Sequence, residues 1–253
     1  MIRLITYSNE LCTISRMKCA ESARKFGADM VYEYEPHNID TFFKANNEKT
    51  LAGERGAGYW LWKPYFINRA IQHCNDGDIL VYCDAGVEII TDLNEIVKVM
   101  DQDIFLFSNG HQHVHWCKSD VSNAINYWDK VTIEKTNCGQ FIGYNSEYDK
   151  YQQVQASVIF FKVNDTTRNF IKEWLLWCQM PGFIDDSPSK LPNHPEFAEH
   201  RYDQAILTCL AIKYNINLHW WADHLWYESQ RYRWPEDKYP SMFKHHRKRN
   251  NEY

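Results

Sequence analysis

Residues 55–88 read RGAGYWLWKPYFINRAIQHCNDGDILVYCDAGVE. Two glycines, Gly56 and Gly58, loosen a loop behind Arg55, and Lys63-Pro64 opens an aromatic-rich helix predicted to run to Gln72. Proline is at home in a first helical turn, where its missing N–H costs nothing. After the turn Asn75-Asp76-Gly77-Asp78 comes an unbroken apolar run, Ile79–Tyr82, that stops at Asp84. A run without alternation predicts a strand buried on both faces, as in a parallel sheet under helices. Ligands of open α/β sheets bind outside the carboxyl ends of such strands. A carboxylate at that end, followed by Gly86, is a place to hold a divalent cation.

Outward from this stretch the chain keeps the same grammar. Ile2–Tyr7 predicts a strand, residues 12–26 a helix stopped by Gly27, and residues 28–34 a second strand. That opening is β-α-β, the parallel-sheet pattern. A short helix is expected over 40–49, another from Thr91-Asp92-Leu93 to about Met100, a strand over 103–108 and a helix from Lys118 toward Tyr127. Residues 132–151 read as a polar loop over the site. A strand is expected over Gln155–Val163 (QASVIFFKV), then a helix, Arg168–Cys178, capped by Thr166-Thr167. The cluster His200-Arg201-Tyr202-Asp203-Gln204 stands at the start of an apolar helix. A helix N-terminus favours the charged form of Asp203. The histidines of HQHVH (111–115) would share one face of a strand, which leaves a metal site as one reading. With no cysteine or carboxylate visible to complete a set, they read as polar loop residues.

Composition sets bounds. The chain has 253 residues, 44% of them hydrophobic, enough for one large domain with a full core. A net charge of −5 argues against a general nucleic-acid binder. The 15% aromatic content, with ten Trp and sixteen Tyr, mildly favours a sugar or nucleotide ligand, although most rings are expected to be packing. Eight cysteines without a CxxC pair read as reduced, buried thiols, neither a disulfide framework nor a zinc site. No apolar run approaches the ~20 residues of a membrane span, and no signal segment is visible, so a soluble cytoplasmic protein is expected. The Arg55–Gly58 loop either presents N–H groups and a guanidinium to phosphate or is an ordinary glycine-containing loop.

Taken together, Gly58-Tyr59-Trp60-Leu61-Trp62-Lys63-Pro64, Tyr82-Cys83-Asp84-Ala85-Gly86 and His200-Arg201-Tyr202-Asp203-Gln204 resemble the motifs of GT-A-fold glycosyltransferases that use nucleotide-sugar donors. The likeness is nearest to a small group from bacteria and large DNA viruses, and it spans nearly the whole chain in order. It implies an α/β, Rossmann-like single domain over 1–253, with a mostly parallel central sheet flanked by helices. Within it, a nucleotide-binding half (about 1–110) precedes an acceptor and catalytic half (about 111–230) and a basic tail (231–253). It implies that Thr6 and Tyr7 line the base and ribose, that Arg55, Gly58 and Lys63 border the nucleotide or its phosphates, and that Gln155 and Ala156 face the donor sugar. Ala85 and His200 are further donor-site residues on this reading, Asp203 is the catalytic residue beside the reacting carbon, and Asp84 and His246 are ligands of Mn²⁺ or Mg²⁺. The partners implied are a nucleotide-sugar donor, UDP by family habit, and a glycan acceptor. The usual Asp-x-Asp is here Asp84-Ala85-Gly86, so one acid is missing. That departure supports the alternative of a non-catalytic sugar-nucleotide or carbohydrate-binding protein on the same fold. A nucleotidyltransferase is disfavoured because Ser8-Asn9-Glu10-Leu11, not a glycine-rich basic loop, follows the first strand. A dehydrogenase is disfavoured because no GxGxxG does.

Overall fold

A computed structural model describes residues 1–127, 150–223, 239–246 and 248–253. The loop expected over 132–151 lies, but for its last two residues, outside the described residues. In chain order the elements are β1 (Ile2–Tyr7), α1 (Thr13–Lys25), β2 (Met30–Tyr34), α2 (Thr41–Asn46), α3 (Glu48–Leu51), α4 (Gly56–Tyr59) and α5 (Trp62–Ile71). They continue with β3 (Ile79–Cys83), β4 (Val87–Ile89), α6 (Asn94–Val97), β5 (Ile104–Gln112), α7 (Ser119–Tyr127), β6 (Gln152–Val154) and β7 (Val158–Lys162). The last are α8 (Asp165–Cys178), α9 (Tyr202–Lys213), β8 (Leu218–Trp220) and β9 (Phe243–His245).

A seven-stranded sheet runs in the order β2-β1-β3-β7-β5-β6, with β8 on β5. β1 pairs in parallel with β2 and β3, and β5 in parallel with β8. β7 is antiparallel to β3 and to β5, and β6 is antiparallel to β5. Strands β1, β2, β3, β5 and β8 therefore point one way and β6 and β7 the other, which makes the sheet mostly parallel. Strand β3 shows why its sequence lacks alternation: Leu80 and Tyr82 enter the core under α5, α8 and α9, while Ile79, Val81 and Cys83 enter the core under α1 and the tail. Among the described residues no helix is long and apolar enough to cross a membrane.

Four local readings are corrected. The helix expected over 40–49 is two short ones, α2 and α3. Helix α8 begins earlier than expected, because Asn164 is its cap: the Asn164 side chain accepts from the Thr167 N–H at 2.9 Å while Thr167 Oγ1 accepts from the Asn164 N–H at 3.0 Å. The strand expected over 155–163 starts later, as β7: β6 and β7 both pair with β5, and Gln155–Ser157 between them fall outside both strands, although Gln155 still donates to the Phe107 carbonyl of β5 at 2.7 Å. The helix expected from 91 to 100 is only α6, and before it comes an unforeseen strand, β4, paired antiparallel with β9 of the tail.

The five residues Gly56–Trp60 all have positive φ, between 51° and 98°. Left-handed backbone costs a non-glycine residue of order 1 kcal/mol or more, so Gly56 and Gly58 make the turn affordable for Ala57, Tyr59 and Trp60. A Cβ on Gly58 would lie 2.8 Å from the backbone Cα of Leu51. Gly58→Ala is expected to lower stability by about 1–3 kcal/mol. Urea unfolding with an unchanged m-value checks it; a wild-type midpoint would show that the turn is not constrained there.

Candidate active site

The site is built around Lys63. It sits in the first turn of α5, only 3% exposed. Its Nζ donates to the carbonyl of Ala156 at 3.0 Å and stands 3.4 Å from Asp84 Oδ1 and 3.3 Å from Asp203 Oδ2. Each partner arrives for a separate reason. Asp84 is where β3 stops, held by its N–H to the Ser157 carbonyl at 2.8 Å. Ala156 belongs to the irregular segment between β6 and β7; such interruptions re-aim groups toward sites. Asp203 opens α9, and the indole N–H of Trp174 from α8 holds its carbonyl at 3.0 Å.

The charges in this cluster are coupled. Burial works against the Lys63 ammonium, but Asp203 and Asp84 outweigh it and raise its pKa, so it stays charged. Burial, with the Asp84 charge added, pushes the Asp203 carboxyl up to about 6 against the pull of Lys63. The expectation that a helix N-terminus favours its charged form is thus outweighed by loss of solvent. Burial also pushes the Tyr82 phenol well up, so its hydroxyl remains a donor to Asp84 Oδ1.

A cleft of about 620 Å³ opens over this cluster, within the range of small-molecule sites. Tyr7, Arg55, Lys63, Asp84, Ala85, Gln155, Ala156 and Asp203 all line it. Four of the expected residues do not. Thr6 is buried, and Ser8 stands at the wall instead. Gly58 serves the left-handed turn. His200 is held inside the protein, accepting from the Lys118 N–H at Nδ1 (3.2 Å) and donating from Nε2 to the Phe183 carbonyl (2.6 Å); burial lowers its pKa to about 3, so it is neutral. His246 donates its backbone N–H to the Gly86 carbonyl at 2.9 Å, but its imidazole faces Glu88, 3.7 Å away.

Trp62 and Arg201 are wall residues with no role assigned from sequence, whereas the resemblance also implies that His246 and the basic residues after it fold back over the diphosphate. Trp62 stacks on Tyr7 with ring centroids 3.9 Å apart, making a flat aromatic wall, and its indole N–H is fixed to the Gly56 carbonyl. Arg201 lines the cleft with Arg55, and Glu199 holds both, at 3.0 and 2.9 Å. Lys248 and Arg249 reach the cleft because β9 pairs with β4, directly after Asp84-Ala85-Gly86. The signal for these two was the basic tail itself; the signal for Trp62 was its place in GYWLWKP.

Asp84 offers the cleft one carboxylate oxygen that is not engaged by Lys63 or Tyr82. Among the described residues no three-ligand group forms around it. That donor set fits a hard cation already carrying phosphate oxygens and does not fit one held by protein alone. The HQHVH segment departs from its expected single strand face. β5 ends at Gln112 and a turn follows, so His113 points inward to Cys117 and Cys209, whereas His115 points outward to Glu196 at 3.1 Å. The partners that sequence alone did not supply come from α9 and the 194–196 loop.

No protein-family model matches the chain, and no curated protein matches it. Among solved structures it is similar to a glycosyltransferase involved in the glycosylation of the major capsid of PBCV-1. That likeness has 10% identity, covers 96% of this chain and 92% of that one, and has a TM-score of 0.51. It is also similar to the galactosyltransferase LgtC in complex with donor and acceptor sugar analogues, at 13% identity over 97% of this chain and 87% of that one, with a TM-score of 0.47. A third likeness, to the bifunctional glycosyltransferase WbbM, has 13% identity and a TM-score of 0.45; it takes in 83% of this chain, which spans only 37% of that enzyme's length. The first of these likenesses bears on the fold alone, a GT-A-like mixed α/β domain with a mostly parallel central sheet flanked by helices.

Lys63→Met is expected to cost about 3–5 kcal/mol at pH 7, because it leaves buried carboxylates uncompensated. The sign with pH follows from Asp203. Its folded pKa of about 6 lies above the unfolded value, so below pH 6 the folded carboxyl takes up a proton and the penalty shrinks. Denaturant unfolding at pH 7 and pH 5 checks this; an equal loss at both would show that Lys63 does not balance the Asp203 charge.

Proposed function

We propose that the chain is a glycosyltransferase that moves a sugar from a nucleotide-diphosphate sugar, UDP-linked in the first instance, to a hydroxyl of a glycan or similar acceptor. The observation that carries this reading is the Lys63 cluster, two carboxylates joined by one buried ammonium, on the floor of a cleft walled by stacked aromatic rings and arginine and lysine side chains. The Tyr7–Trp62 wall suits the flat face of a base. Arg55, Lys248 and Arg249 suit the diphosphate, whose negative charge grows as the sugar–phosphate bond breaks. Asp203 supplies negative charge beside the anomeric carbon, where an oxocarbenium-like state forms. Lys63 aims Asp203 and Asp84, and its ammonium favours the ionised form of Asp203 against burial. Asp84 would give one oxygen ligand to a Mn²⁺ or Mg²⁺ ion bound with the donor, and that ion would supply Lewis-acid stabilisation of the leaving diphosphate.

Asp203→Asn is expected to cut turnover by about 10²–10⁴-fold while donor affinity holds. Steady-state kinetics with calorimetric donor titration reads both, and full activity in this variant would remove Asp203 from the chemistry. In the wild type, turnover is expected to rise with pH along a limb centred near the Asp203 value of about 6; a flat profile across that range would contradict its role. A thermal-shift screen of UDP-, GDP-, dTDP- and CMP-sugars, each with Mn²⁺ and with EDTA, reads the donor class. A shift for one nucleotide that vanishes in EDTA supports the metal complex, and the same shift in EDTA takes the cation off Asp84. Donor binding with no turnover toward any hydroxyl acceptor would favour the non-catalytic binding protein.

A further inference from the structure

A second cluster lies outside the cleft. His113, Cys117 and Cys209 come from the turn after β5, the residue before Lys118 and the middle of α9. All three are buried, His113 completely. The His113 Nε2–Cys209 Sγ distance is 3.3 Å, the Cys117 Sγ–Cys209 Sγ distance is 3.7 Å, and all three ligand atoms lie within 4.8 Å of one another. On a tetrahedron with the usual Zn–S length of about 2.3 Å and Zn–N of about 2.0 Å, two sulfurs stand about 3.8 Å apart and a sulfur and a nitrogen about 3.5 Å. The two short edges in the protein match those lengths. His113 Nδ1 is buried without a hydrogen-bond partner among the described residues, so the ring is not committed to a polar network on its other side.

The geometry points to a structural site for a thiophilic divalent cation, Zn²⁺ by ligand chemistry, held by His113, Cys117 and Cys209. Binding releases the two thiol protons to solvent, and two thiolates with one Zn²⁺ make a neutral centre, which suits a buried position. The cation would fasten the turn carrying His113–Cys117 to α9, six residues (about 9 Å of helix axis) beyond Asp203. The site thus anchors the helix that opens with Asp203, and it stands whether or not the chain is a transferase.

The test is metal analysis of the full-length reduced chain, purified, incubated with Zn²⁺ and then dialysed. The expected result is one zinc per chain by plasma mass spectrometry, lost in Cys209→Ser and Cys117→Ser and retained in His115→Ala, which touches only the outward-facing group. Should either serine variant fail to fold by circular dichroism, Co²⁺ loaded into the wild type keeps the question open to decision. Thiolate-to-cobalt charge-transfer absorption with tetrahedral d–d bands is then expected. Removal of zinc by a chelator should lower the unfolding midpoint by several degrees. Wild-type protein without stoichiometric zinc and without the thiolate–cobalt band overturns the proposal, as does zinc that persists in a folded Cys209→Ser variant. A Cys117–Cys209 disulfide in non-reduced mass spectra with no metal bound also overturns it.

Discussion

The structure turns on one buried ammonium. Taking a lysine out of water costs several kcal/mol unless opposite charge and hydrogen bonds replace its hydration. Here the replacement needs three separate parts of the chain: the end of β3 for Asp84, the start of α9 for Asp203, and the irregular Gln155–Ser157 segment for the Ala156 carbonyl. None of these partners is near Lys63 in sequence. The requirement that all of them reach one point therefore disciplines the packing of α5, α8 and α9 on the sheet. It also places two acids of different exposure side by side at the base of a cleft.

A second constraint is the left-handed run Gly56–Trp60. Strained backbone of this kind persists only where its surroundings over-determine it. The Gly56 carbonyl takes the Trp62 indole N–H, and Trp62 in turn stacks on Tyr7 at the end of β1. The turn thus delivers Arg55 to one side of the cleft and Trp62 to its wall, then starts α5 in time for Lys63 to reach the carboxylates. The glycines of this segment act through backbone shape; the loop's contribution to the cleft comes from the residues around them.

The parts of the fold that could be read from sequence are those decided by local pattern. β1, α1, β2, α5 and β3 follow from apolar runs, helical spacing and the stop at Gly27, and the place of Asp84 at a strand end follows from the same run. What could not be read depends on partners distant in the chain. β4 is three residues long and exists because β9, some 150 residues later, pairs with it. The break at Gln155–Ser157 is invisible in an apolar run, since burial on both faces hides any change of register. His200 looks like a site residue in its polar cluster, yet two backbone groups use both of its nitrogens. The raised pKa of Asp203 comes from its depth, which its place at a helix start does not reveal.

Lys63 and Asp203 act as one electrostatic unit, and a double-mutant cycle measures that directly. Unfolding free energies at pH 7 for the wild type, Lys63→Met, Asp203→Asn and the double variant give the coupling. A favourable coupling of about 1–3 kcal/mol is expected, with the double variant more stable than the sum of the single losses implies. Strict additivity would contradict it and reduce the Lys63–Asp203 contact to a neighbourhood without energetic content.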